Sequence, residues 1–268
     1  MKSKCVLVLC LSAFFSLPAC SSRFSTVGTQ AQHGSVKLAK NLFLLDDYSE
    51  WYGAGRVKST EEFDILKKAF ALSAAKGNIG TWLGIPSMQS TEDNHMMQEL
   101  IAELKPDYII ETGTYKGGTT LFYATVLEKV SKNGRVITID IDPQVEEASK
   151  FDVFRERVTV LKGDVVSEEV ISRIGDIVKP GDTVLVTLDT SHKREHVLKE
   201  LQVYSKFVSA GGYIAVQCTA CNVGHNPGNG PLTAVRAFLR RNKDFIIDNK
   251  RERFLFSSFL SGFLKRVK

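Results

Sequence analysis

The stretch from Tyr108 to Thr119 limits what this chain can fold into more than any other. Tyr108-Ile109-Ile110 is a short apolar run that ends in an acid, Glu111. Thr112-Gly113-Thr114-Tyr115-Lys116-Gly117-Gly118 follows, and a helical pattern then runs to about Val130. That order predicts strand, tight turn and helix, the opening crossover of an open parallel sheet. Ligands of such sheets sit outside the carboxyl ends of the strands. The alternation continues downstream. Strands are predicted at 107–111, 135–140, 157–161, 182–189 and 211–217, and helices near 118–131, 143–150, 166–178, 193–207 and 230–242. Val184-Leu185-Val186-Thr187-Leu188 is apolar enough to be covered on both faces, as parallel strands are. The segments 244–248, 253–259 and 263–267 follow each other closely, which suggests a terminal antiparallel hairpin.

The glycine spacing narrows the ligand. Gly113, Gly117 and Gly118 give G-x-x-x-G-G. The dinucleotide fingerprint G-x-G-x-x-G is absent because position 115 is Tyr, and no Gly-Lys-Ser/Thr of a phosphate loop follows. A carboxylate at the strand tip repels phosphate and suits a cation or an amine. S-adenosylmethionine (SAM) carries both an ammonium and a sulfonium. Glycines there would let a backbone approach such a ligand closely. An ordinary strand-to-helix turn accounts for the loop equally well when it is taken alone.

The other strand ends supply further candidates. Asp140 closes the second strand and suits a ribose diol, with Asp142 next on the same side. The competing role is a helix N-cap before Pro143, which fits Asp142 better than Asp140. Asp164, after the third strand, fits an adenine amino group or a helix N-cap equally. Asp189 ends the fourth strand and is expected to face the same crevice as Glu111. His192, close behind it, has an imidazole that titrates near neutral pH and suits a general base, although a lone His is usually a surface or capping residue. Gln217-Cys218 ends the fifth strand, ahead of a Gly-, Asn- and Pro-rich loop from Asn222 to Pro231. Cys218, Cys221 and His225 make C-x-x-C-x-x-x-H, half of a zinc pattern with no fourth ligand in view.

The rest of the chain is organised around this domain. Residues 1–19 have a basic start, Lys2 and Lys4, and an apolar run from Cys5 to Leu17. The run is short of the ~20 residues of a membrane span and fits a secretory signal. Leu17-Pro18-Ala19-Cys20 looks like a bacterial lipobox, so Cys20 is the expected lipidation site and the protein an expected membrane-associated lipoprotein. An uncleaved anchor or a misplaced start codon are the other readings. Residues 20–36 are polar and read as a tether. Residues 37–106 read as a helical extension: Ser59-Thr60-Glu61-Glu62 resembles a capping box, Gly77 fits a C-cap, and a second helix opens at Thr91 and stops at Pro106. Trp82, between those helices, is either a core plug or part of a lid. The composition is 43% hydrophobic and 24% charged, with a formal net charge of +5 whose basic residues are spread out. That argues against nucleic acid as a partner.

Taken together, these residues resemble the cephalosporin-hydroxylase / rhamnosyl O-methyltransferase family of class I SAM-dependent methyltransferases. The resemblance runs from about Thr81 to the C-terminus. It rests on Thr81-Trp82-Leu83-Gly84 with Pro86, Gln98-Glu99-Leu100-Ile101, Ile110-Glu111-Thr112-Gly113-Thr114 with Gly117-Gly118, and Asp140-Ile141-Asp142. It continues through Asp189 with His192, Gly211-Gly212-Tyr213, Gly230-Pro231 with Ala234-Val235, and Phe254-Leu255 to Leu264-Lys265-Arg266. It implies an α/β, Rossmann-like doubly wound sheet over 107–268, and SAM held by Glu111, the glycine loop of Gly113, Thr114, Tyr115, Gly117 and Gly118, and Asp140, with Asp142, Asp164 and Asp189 as further cofactor-binding candidates from the strand ends. It implies methyl transfer to a hydroxyl of a glycan, glycolipid or small molecule, for which His192 and Asp189, read from the strand end, are the catalytic candidates. The hydroxylase name implies no oxidative chemistry here.

Family members of the metal-dependent type place acids where this chain has Ser191 and the Gln217-Cys218 pair. Only Asp189 remains as a carboxylate there, so a Mg²⁺ site is expected to be weakened or lost. A catalytically degenerate, membrane-anchored binding protein is therefore the alternative reading. SAM is a cytosolic metabolite, which stands in tension with export. The sequence is also compatible with a homo-oligomer.

Overall fold

The structure is a computed structural model, and it describes residues 80–219, 229–254 and 257–268, together with Glu61 and Ile65. The signal, Cys20, the tether and nearly all of the expected helical extension before residue 80 lie outside the described residues, as do Cys221 and His225. A short hairpin of β1 (Gly80–Trp82) and β2 (Ile85–Ser87) comes first, then helix α1 (Thr91–Leu104). The alternating body comprises β3 (Tyr108–Thr112), α2 (Gly118–Val130), β4 (Arg135–Asp140), α3 (Asp152–Arg157), β5 (Val158–Lys162), α4 (Glu168–Ile177), β6 (Val184–Leu188), α5 (Arg194–Tyr204), β7 (Tyr213–Val216) and α6 (Pro231–Arg241). Strands β8 (Phe245–Ile247) and β9 (Phe263–Arg266) close it.

The main sheet has seven strands in the order β5-β4-β3-β6-β7-β9-β8. β5, β4, β3, β6 and β7 are parallel, and β9 runs antiparallel to both β7 and β8. The strand order reverses between β3 and β6, so a crevice is expected above that seam. Strand periodicity sorts the core into two layers. Ile110, Ile137, Val186 and Ile214 pack on one face with residues of α4, α5 and α6. Ile109, Val136, Leu185 and Tyr213 pack on the other with α1, α2, Phe259 and Phe263. Each such side chain is fully buried, worth roughly 1.5–3 kcal/mol. Helix α1 thus belongs to the same core as the sheet.

Local chemistry sets the element ends. The Ser90 side chain accepts from the Asp93 amide at 3.1 Å and starts α1, and Ser167 does the same for α4 through the Val170 amide at 3.3 Å. The left-handed Lys105 ends α1 ahead of Pro106. Trp82 is a core plug: its ring meets Phe122 edge-on at 5.0 Å, and its indole N–H donates to Thr125 Oγ1 at 3.3 Å.

Two expected elements differ. The helix predicted at 143–150 is a single 3₁₀ turn at Ala148–Lys150, with α3 following. The Gln144 amide donates to the Tyr115 carbonyl at 2.8 Å, which ties this segment to the glycine loop, and after one α-type bond from Ser149 N to Val145 O the Lys150 and Phe151 amides bond three residues back, to Glu147 O and Ala148 O. The strand predicted at 253–259 does not form among its described residues. Asp93 accepts there from Ser257 Oγ, Ser258 N and Ser258 Oγ, so a buried side chain satisfies the backbone instead of a neighbouring strand. The terminal hairpin is β8 with β9. Among the described residues, no helix is long and apolar enough to cross a membrane.

Candidate functional site

The ladder bonds run one residue past the strands and line up their carboxyl ends. Gly113 N donates to Ile139 O at 2.8 Å, Asp189 N to Thr112 O at 2.9 Å, Gln217 N to Leu188 O at 3.0 Å, and Gly163 N to Asp140 O at 2.9 Å. Above this row lies a cavity of about 500 Å³. Gly113, Thr114 and Tyr115 form one wall, Asp140, Ile141, Gly163, Asp164 and Val165 another, and Asp189 to His192 with His196 a third. Gln217 and Cys218 close one end, and Pro86 and Met88 come from the hairpin side. Ile141 is 73% exposed and Tyr115 45%, so the rim offers apolar surface beside the carboxylates of Asp140 and Asp164.

Asp140 holds the glycine loop. Its Oδ2 accepts from the Thr114 and Tyr115 amides, both at 2.9 Å, and its Oδ1 accepts from the Asp142 amide at 2.9 Å. This organising role is added to the expected ribose contact. Asp142 itself is exposed and pairs with Lys162 at 3.2 Å, and it does not line the cavity. Asp164 lines the cavity, and its Oδ1 accepts from Val166 N at 3.1 Å. The helix cap that was its alternative role belongs to Ser167.

Two glycines are needed for a reason other than the one expected. A Cβ on Gly113 would lie 2.0 Å from the Asp189 carbonyl oxygen, and one on Gly118 would lie 2.0 Å from the Pro86 carbonyl oxygen. The close approach is between strand tips and between α2 and the hairpin. Gly113 borders the cavity, but Gly117 and Gly118 sit behind it at the start of α2.

Glu111 also lies behind the cavity wall and is only 2% exposed. Its Oε2 accepts from the Thr138 hydroxyl at 2.6 Å and from the Thr120 hydroxyl. Burial drives its pKa from the ordinary 4.5 up to about 8; the two hydroxyls oppose the rise, and Asp189 and Asp140 add to it. The expected direct grip on an amine is therefore not displayed at the cavity surface. Glu111 instead braces β3 against β4 and α2.

Sequence reasoning missed a second buried acid. Glu200 on α5 is 0% exposed and accepts from Thr112 Oγ1 at 2.7 Å. Burial pushes its pKa up to about 7, with the Thr112 hydroxyl opposing. His196 Nε2 is 3.8 Å from Glu200 Oε2, and His196 borders the cavity. A signal was present: Glu200 falls in the apolar spacing Val197, Leu201, Tyr204, where a solvated acid does not belong.

At the far end, Asp189 Oδ1 and His192 Nε2 stand 3.3 Å apart, and Cys218 joins them. Burial raises the Asp189 pKa and His192 opposes the rise. Here the fit of a Mg²⁺ ion is decided. Mg²⁺ takes an octahedron of hard oxygen ligands. The side chains present are one carboxylate, an imidazole, the Gln217 amide, a thiol and the Thr190 and Ser191 hydroxyls. They do not fit it. SAM fits the cavity better: the carboxylates of Asp140 and Asp164 and the apolar Ile141, Val165 and Met88 suit its nucleoside, and Asp189 suits its positive charge.

Known proteins agree with this architecture. The family model for rhamnosyl O-methyltransferase/CmcI matches residues 77–267. A rhamnosyl O-methyltransferase of Mycobacterium leprae is 30% identical, over 70% of this chain and 84% of its own. One from Mycobacterium tuberculosis H37Rv is 29% identical, over 69% of this chain and 78% of its own. Among solved structures, CmcI in its N160 apo form aligns at TM-score 0.56 and 18% identity, covering 71% of this chain and 77% of that one. CmcI in its D160 form with Mg and SAM aligns at TM-score 0.55 and 18% identity, covering 71% and 78%. The chain belongs to the rhamnosyl O-methyltransferase/CmcI family.

Proposed function

We propose that this protein methylates a hydroxyl of a sugar, with SAM as the donor and a rhamnose-like deoxyhexose of a glycan or glycolipid as the acceptor. The observation that carries the reading is the single crevice at the β3–β6 seam, in which Asp140, Asp164, Asp189 and His192 face one cavity. The acceptor class rests on the named activity of the mycobacterial relatives. SAM, when bound, supplies an electrophilic methyl group. The chain's own residues do the rest. Asp140 fixes the Thr114–Tyr115 loop against which the donor lies. The adjacent Asp164 wall and Ile141 receive the nucleoside. The Asp189–His192 pair, at the opposite end, takes the proton that the acceptor hydroxyl loses. Positioning of two reactants in one cleft contributes much of the rate in such a design.

The test is transfer of labelled methyl from SAM to rhamnosides, with glucosides as the comparison. Label on the rhamnoside, lost in His192→Ala, supports the reading. SAM binding without transfer to any sugar hydroxyl favours the degenerate, binding-only alternative. Lipid attachment at Cys20 stands as a separate proposal. Palmitate labelling of the full chain and of Cys20→Ala tests it, and equal labelling rejects it.

A further inference from the structure

We propose that Asp189, His192 and Cys218 form a site for one thiophilic divalent cation of the Zn²⁺ class, where a hard Mg²⁺ site does not fit. One ligating atom from each of the three side chains lies within 4.8 Å of the others. Asp189 Oδ1 and His192 Nε2 are already 3.3 Å apart. Tetrahedral zinc, with bonds of about 2.0–2.3 Å, sets neighbouring donors roughly 3.4 Å apart. The sulfur, within 4.8 Å of both, has to close by little more than an ångström to take the third corner. All three residues border the cavity, so the fourth position opens into reachable space, as in zinc sites with three protein ligands.

The scaffold delivers these donors from separate elements. Asp189 ends β6, His192 sits in the link to α5, and Cys218 follows β7. The Gln217 N to Leu188 O bond at 3.0 Å holds the last strand end beside the first. Cys218 adopts φ +53°, a left-handed conformation that is uncommon for a residue with a Cβ. Such strain gathers at ligand clamps. The donor chemistry then selects the ion. A thiolate is soft and an imidazole borderline, which favours Zn²⁺ or Co²⁺ and disfavours Mg²⁺.

The inference goes beyond methyl transfer and does not depend on it. In the cation-loaded chain His192 is a ligand, so proton uptake at His192 belongs to the metal-free chain. The experiment uses the tag-free full chain, dialysed against chelator and titrated with Zn²⁺, Co²⁺ and Mg²⁺ in the absence of SAM. One Zn²⁺ per chain is expected, together with a thiolate-to-cobalt charge-transfer band in the near ultraviolet. Cys218→Ser is expected to abolish the band and weaken Zn²⁺ by at least about 100-fold, since a soft ligand is lost. Cys218→Asp is expected to shift preference toward Mg²⁺, while the circular dichroism of both variants stays that of the wild type. No Zn²⁺ uptake by the wild type overturns the proposal. So does Zn²⁺ that survives Cys218→Ser but is lost in a Cys221→Ser, His225→Ala double variant, which would place the ion elsewhere. Failure to bind SAM while zinc still binds would reject the methyltransferase reading alone.

Discussion

At the scale of single residues, the site is built over two acids whose pKa values burial raises. Glu111 has its pKa pushed up to about 8 and Glu200 to about 7, each from an ordinary 4.5. An acid whose pKa is raised by folding binds more protons folded than unfolded, so its contribution to stability falls as pH rises through that window. The ligand-free chain is therefore expected to lose stability, by up to a few kcal/mol, between about pH 4.5 and 8. Urea midpoints across that range check this, and Glu111→Gln, which keeps an acceptor for Thr138 and Thr120, should flatten the curve. An unchanged slope would mean that Glu111 is ionised when buried. His192 is a separate case. Its removal is expected to lower the rate of methyl transfer by about 10²–10⁴-fold while SAM affinity stays within a few-fold, measured by single-turnover transfer and calorimetry. The acids at strand tips were legible in the sequence because the tips themselves were. Glu200 shows in the sequence only as a charge among the apolar positions Val197, Leu201 and Tyr204, and its pairing with Thr112 needs α5 packed on the sheet. The bracing role of Glu111 was hidden too, since Thr120 and Thr138 become its partners only after β3, β4 and α2 pack together.

At the scale of elements, the hairpin β1–β2 and the start of α2 are fitted by the absence of one side chain. Gly118 lies under the Pro86 carbonyl, and Ser87 Oγ meets Thr119 Oγ1 at 3.1 Å beside it. Gly118→Ala is expected to destabilise the chain by about 1–3 kcal/mol through overpacking, read from denaturant unfolding, and to move Pro86 and Met88 on the cavity rim. Asp93 is a second fastening, between α1 and the segment before β9. Asp93→Ala removes the acceptor for Ser257 and Ser258 and should cost about 1–3 kcal/mol. The parallel strands were readable to within a residue or two because their apolar runs are bounded by glycines and acids. The β1–β2 hairpin and the irregular run before β9 were not, because side-chain partners far along the sequence decide them.

At the scale of the whole molecule, the α/β architecture follows from strand and helix alternation, and the crevice follows from the order in which the strands are laid down. That much was contained in the sequence: a site at the β3–β6 seam with Asp140, Asp164 and Asp189 around it. The size of the cavity and the company of Cys218 with Asp189 and His192 depend on the final packing of β6 against β7. A ligand that binds only the folded chain should stabilise it by about 2.7 kcal/mol when present at 100 times its dissociation constant. The most direct test is calorimetric titration of the full chain with SAM, for wild type and Asp140→Ala. One SAM per chain, bound at least tenfold more weakly once the Thr114 and Tyr115 amides lose their carboxylate, is the predicted result. No heat of binding in the wild type, or equal affinity in the variant, would contradict it.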